Sequence, residues 1–163
     1  MNAREAIKVS IETADMISKT YLDDLSDEEM MHRPDPKCNH IKWQIGHLIV
    51  SDNSMVNGCC PGTMPELPDG FQEQYSKETC TSDNAGDFHS KAELMELFTN
   101  QRVAALAKLT ELSDDDLNAD APEAIRAYAP NFGAAFGMLS VHAMMHAGQW
   151  AVIRRQLGRE PVI

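Results

Sequence analysis

Residues 141–150 read VHAMMHAGQW, two histidines one turn apart in a segment otherwise suited to a helix interior. The fold turns on what surrounds them. Followed outward, the pattern spans about 131 to 157. Phe132, Ala135, Phe136, Leu139, Ala143, Trp150, Ile153 and Leu157 recur along one face at helical spacing. Gly158 stops the run, with Pro161 behind it. In that register His142 and His146 fall on or beside the core-facing stripe. A buried neutral histidine must find partners for its ring nitrogens. Two at i and i+4 point the same way, which suits either a hydrogen-bonded core pair or a shared metal ion.

Three more long helices are predicted. The first runs from about 2 to 21, with Ala6, Ile7, Ile11, Ala14 and Ile17 or Met16 as its stripe. The second opens near Asn39 as N-cap and covers HIKWQIGHLIVSDNSMV, 40–56, with Ile41, Ile45, Leu48 and Ile49 facing inward. The third is SKAELMELFTNQRVAALAKLTEL, 90–112, where Ser90 and Glu93 form a capping box and Leu94, Leu97, Phe98, Ala105 and Leu109 recur. LSDEEM (25–30) and LSDDDL (112–117) are similar acidic capped turns after the first and third helices, a weak hint of duplication. No strand pattern stands out. The fold class is all-α, a four-helix bundle in one domain over 1–163, with a long connection, about 57–89, between the second and third helices. That connection is rich in Gly, Pro, Ser and Asp and is expected to drape over one end as a lid or pocket wall.

Composition narrows the function. The chain has 163 residues, 43% apolar and 24% charged, the profile of a globular domain able to bury a core. Its net charge of -11, from 14 basic and 25 acidic residues, argues against nucleic acid or an anionic membrane as partner. No stretch is apolar enough to span a bilayer and the N-terminus lacks a signal-peptide pattern, so a cytoplasmic location is expected. Cys38, Cys59, Cys60 and Cys80 fit neither a zinc ribbon nor a disulfide framework and read as reduced thiols.

The third histidine shifts the balance between the two readings. His47 lies amid apolar residues in WQIGHLIV and can face His142 and His146 across the core if the second and fourth helices are neighbours. Three imidazoles from two helices would leave at least one metal position open, as catalytic sites do. Gly46 beside it can permit close helix approach. His40 is read as a solvated first-turn residue, and His32 and His89 as surface residues. Gln149 is a packing or capping group that can also reach a ligand. Arg154 and Arg155 complement the helix dipole. Met30, Met31, Met138, Met144 and Met145 are read as core fillers. The acidic runs lack an EF-hand pattern. Asp52 and Asn53 receive no role.

LSDEEMMHRPDPKCNHIKWQIGHL (25–48) and HAMMHAGQWAVIRRQLGREP (142–161) together resemble the DinB-like (DinB/YfiT) family of metal-binding four-helix bundles. The matching positions are Trp43, Gly46, His47, Leu48, His142, His146, Gly148, Gln149, Leu157 and Gly158. The resemblance implies His47, His142 and His146 as metal ligands. It further implies a homodimer acting on a small-molecule substrate. The expected cofactor is a divalent ion, zinc or nickel first and iron or manganese as alternatives, joined by a low-molecular-weight thiol. The expected function is a metal-dependent enzyme that activates a thiol or water, as in thiol-dependent transferases, isomerases or hydrolases. The alternative is a non-catalytic metal-binding or stress-response bundle. The long connection is where substrate would differ from that of relatives.

Overall fold

Asn2 accepts the Glu5 N–H, and the Glu5 carboxylate accepts the Asn2 N–H, so the first helix starts with two of its free donors satisfied. In the computed structural model, which describes residues 1–160 and 162, this helix is α1 (Ala3–Leu22). Three other long helices follow, α2 (Ile41–Cys59), α3 (Lys91–Glu111) and α4 (Phe132–Gln156). No strand occurs among the described residues, only one isolated bridge between Asp120 and Asn131. None of the helices is long and apolar enough to cross a membrane.

The helix termini follow local chemistry with one exception. Ser90 and Glu93 cap α3 reciprocally, and Asn131 caps α4. Gly158, at φ +72°, ends the last turn in the left-handed region; Pro161 lies outside the described residues. Both acidic turns are capped as expected, Ser26 with Glu29 and Ser113 with Asp116. The exception is α2. Its N-cap is His40, whose Nδ1 accepts the Trp43 N–H at 3.1 Å, and not Asn39. His40 is also fully buried, with the Phe88 ring edge-on at 4.6 Å. The solvated reading fails because the 60–90 segment closes over it.

That segment is a packed wall. It contains short helical turns at Phe71–Gln74 and Ala85–Asp87, and it drives Phe71, Tyr75 and Phe88 into the core. The Tyr75 ring lies flat against Gly46, where a Cβ would stand 2.0 Å from Tyr75 Cδ1. Gly46 therefore admits a ring from the connection and not a neighbouring helix.

α4 packs most closely along α1 and also lies against α2, whose other neighbour is α3; α1 and α3 touch more lightly. The buried apolar residues form two clusters. One gathers Ile41, Ile45, Phe98 and Trp150; the other gathers Ile11, Val56, Leu109 and Phe136. Arg102 sits between them in sequence on α3. Its Nη2 is 3.0 Å from Asp52 on α2 and donates to the Leu139 carbonyl of α4 at 2.9 Å, while Nε is 3.5 Å from Asp15 on α1. One guanidinium thus joins all four helices across a polar belt. Burial pushes the Asp52 carboxyl up to about 7 against the pull of Arg102.

Several side chains depart from the sequence expectations. Ala6 and Met16 are exposed, while the expected Ile11 and Ala14 are buried together with Ser18 and Leu22. Met144 and Met145 are exposed, because they fall on the opposite side of α4 from Ala143 and Ala147. Met30 is buried, and Met31 and Met138 are half-buried. Arg154 bonds the Asp24 carboxylate and the Tyr21 carbonyl, a structural role; Arg155 is exposed. All four cysteines are free.

Candidate metal centre

α2 and α4 bring His47, His142 and His146 together. Each offers one ring nitrogen, and these atoms lie within 4.8 Å of one another. His142 and His146 owe their juxtaposition to helix pitch, one turn apart on the same side of α4. Their Nε2 atoms are 3.2 Å apart. Two nitrogens bound to one ion at roughly 2.1 Å and separated by that distance subtend about 100°, between the octahedral and tetrahedral angles. The His142–His146 pair therefore fits a divalent ion of the kind that accepts imidazole, with His47 the third donor beside it.

Two of the imidazoles are held from behind. The Trp43 ring stacks on His47, with centroids 4.9 Å apart and planes within 7°. Trp43 is in turn fixed by its indole N–H, which donates to the Ser76 carbonyl at 3.1 Å. His146, the most buried of the three, sets its Nδ1 2.9 Å from Gln44 Oε1, which also accepts the Trp150 indole N–H at 2.8 Å. Gln44 Nε2 donates to the Asn39 carbonyl at 2.6 Å. His47 and His142 are half-buried, so the cluster is open on one side.

Electrostatics keep the cluster neutral. Burial, then the neighbouring imidazoles, push His146 down to about 3. Burial and then His47 push His142 down to about 4, and burial with Lys77 lowers His47. All three rings are thus uncharged near pH 7, the form that ligates metals.

Other histidines stand apart. His32 Nε2 contacts Gln156, and His89 contacts the Tyr75 hydroxyl through Nδ1; both are half-buried and not open surface residues. Gln149 is exposed on α4. The residue that sequence reasoning missed is Gln44. It carried the same signal as His47, a polar side chain amid apolar neighbours, three positions earlier on the same helix. Asp52, to which the sequence alone gives no role, belongs to the Arg102 belt. A groove of about 510 Å³ runs between α1 and α3, lined by Lys19, Leu22, Met95 and Thr99 among others, but none of the three histidines lines it.

The sequence profile of the DinB superfamily matches residues 11–150 of the chain, a span that includes all three histidines. No curated protein and no solved structure matches it.

Proposed function

Because the chain belongs to the DinB superfamily and gathers three neutral imidazoles at one open corner, we propose that it is a metal-dependent enzyme acting on a small molecule. His47, His142 and His146 hold the ion, zinc or nickel in the first instance. A divalent ion there supplies the Lewis acidity that lowers the pKa of a water or a low-molecular-weight thiol reaching its open side. The reaction class is thiol-dependent transfer or isomerisation, or hydrolysis. Within the protein, Trp43 and Gln44 orient their respective imidazoles, and the 60–90 wall excludes water from one flank. The observation that carries this reading is the 3.2 Å approach of two Nε2 atoms with a third imidazole beside them.

A second reading, metal binding without turnover, has its own support. Among the described residues no carboxylate hydrogen-bonds any of the three imidazoles, the simpler arrangement of a site that only holds an ion. In either case the protein is read as cytoplasmic and homodimeric. Val141, Met145 and Val152, exposed along one side of α4, are the apolar stripe a second copy would cover.

The test is metal content of untagged protein beside a His142→Ala, His146→Ala double variant. About one divalent ion per chain in the native protein, absent from the variant, is expected. Native protein that takes up neither zinc nor nickel would overturn both metal readings. Substrate-dependent thiol consumption separates the enzyme from the binder. Light scattering of the native protein against Val152→Glu checks the dimer.

A further inference from the structure

Resting on the metal-site reading, we infer that Gln44 is a positioning residue that locks the proton of His146 on Nδ1 and aims its Nε2 lone pair into the cluster. The Gln44 amide can sit only one way round. Its two faces meet groups of fixed character: the Trp150 indole N–H can only donate, and the Asn39 carbonyl can only accept. The amide oxygen must therefore face Trp150 and the amide nitrogen must face Asn39. His146 Nδ1 lies 2.9 Å from that same oxygen. An oxygen offers no hydrogen, so Nδ1 must carry one, and Nε2 of the neutral ring is left with its lone pair.

The consequence reaches His142. Its Nε2 is 3.2 Å from the His146 lone pair. Without an ion, two lone pairs would face each other unless His142 holds its own proton on Nε2 and donates it. The metal-free pair is therefore closed by a His142 Nε2–H to His146 Nε2 hydrogen bond. Opening it for an ion moves the proton of one ring only. His142 gives up a proton at Nε2 and takes one up at Nδ1, stays neutral, and His146 changes nothing. Gln44 thus makes the deeper histidine the fixed ligand and the shallower one the adjustable ligand. The side chain acts through His146 and touches neither the ion's place nor a substrate.

Long-range proton–nitrogen correlation spectra of metal-free protein labelled at histidine report each tautomer directly. Native His146 is expected wholly as the Nδ1–H form and His142 as the Nε2–H form. In Gln44→Leu the Nε2–H form of His146 should appear, and affinity for zinc alone, by calorimetry, should fall about 10- to 100-fold. Gln44→Glu keeps an acceptor and should keep the native tautomer. Trp150→Phe removes only the competing donor and should do the same, so the inference stays testable even if Gln44→Leu fails to fold. A native His146 in the Nε2–H form would overturn the inference, as would a folded Gln44→Leu with unchanged tautomers. A native protein that shows the Nδ1–H form yet binds no zinc would uphold the role of Gln44 and overturn the metal reading alone.

Discussion

Replacing Gly46 by alanine should harm this protein, although the same change in an ordinary helix interior stabilises by roughly 1 kcal/mol. The added Cβ would stand 2.0, 2.2 and 2.3 Å from Cδ1, Cε1 and Cγ of Tyr75. Because Cγ is the root of the ring, no ring flip clears the clash. Tyr75 is 1% exposed, its ring 4.5 Å from that of Phe71, and its hydroxyl accepts the His89 N–H at 3.0 Å. Two responses are open. The ring can shift within a full core, an overpacking cost of about 1–3 kcal/mol. Alternatively the 71–75 turn can detach, exposing Phe71 and Tyr75 at roughly 1.5–3 kcal/mol each. After the propensity gain, the cheaper route leaves a net loss of up to about 2 kcal/mol, a fall in Tm of up to roughly 8 °C for a chain of this size. Thermal and urea unfolding of Gly46→Ala, Tyr75→Ala and the double variant measure it. The second alanine should cost nothing, or help, once Tyr75 is gone. A Gly46→Ala protein with a raised Tm would refute the packing argument.

Arg102→Leu strands the Asp15 and Asp52 carboxyls beside an apolar side chain and should cost about 3–5 kcal/mol in urea unfolding; adding Asp52→Leu should restore part of it. His40 has its pKa pushed down to about 4, by burial first and then by Arg33. The unfolded chain binds a proton below its ordinary value near 6.5 while the folded one does not, so stability is full above that value and drains as pH falls toward 4. His40→Asn, which keeps a cap, should make that slope shallower in chemical denaturation between pH 6.5 and 4, the remainder coming from His47, His142 and His146. Cys59 and Cys60 are buried, and burial pushes the Cys59 thiol up to about 11. Thiol titration of native protein should therefore find the half-buried Cys38 and Cys80 first, with Cys59 and Cys60 reacting only on unfolding.

Helix positions were legible because their signals are short-range. The Ser90–Glu93 box and the Gly158 stop lie within a few residues of the boundaries they set. The histidine cluster was legible for a different reason: polar rings in apolar stripes ask for partners, and two helices supplied all three. What stayed hidden depended on contacts distant along the chain. Nothing near His40 indicates that Phe88 will cover it, and by local preference Asn39 is the better cap. The partnership of Arg102 with Asp15, Asp52 and Leu139 needs four helices aligned at once. Residue type alone points Met144 and Met145 inward, whereas the register that their histidine neighbours define turns both toward solvent. Gln44 could have been found by applying to it the argument already applied to His47.

The belt around Arg102 has a bearing on alignment. Apolar helix faces tolerate sliding, since one leucine can replace another a turn away with modest loss of contact. Displacing α1, α2 or α3 by one turn, about 5.4 Å, would carry its aspartate or arginine out of the belt and into one of the two apolar halves. Misalignment then strands a charge in oil, and each of these three helices has a single height at which that does not happen. The belt serves as a key cut at mid-height, and the height of His47 on α2 is set by the same cut.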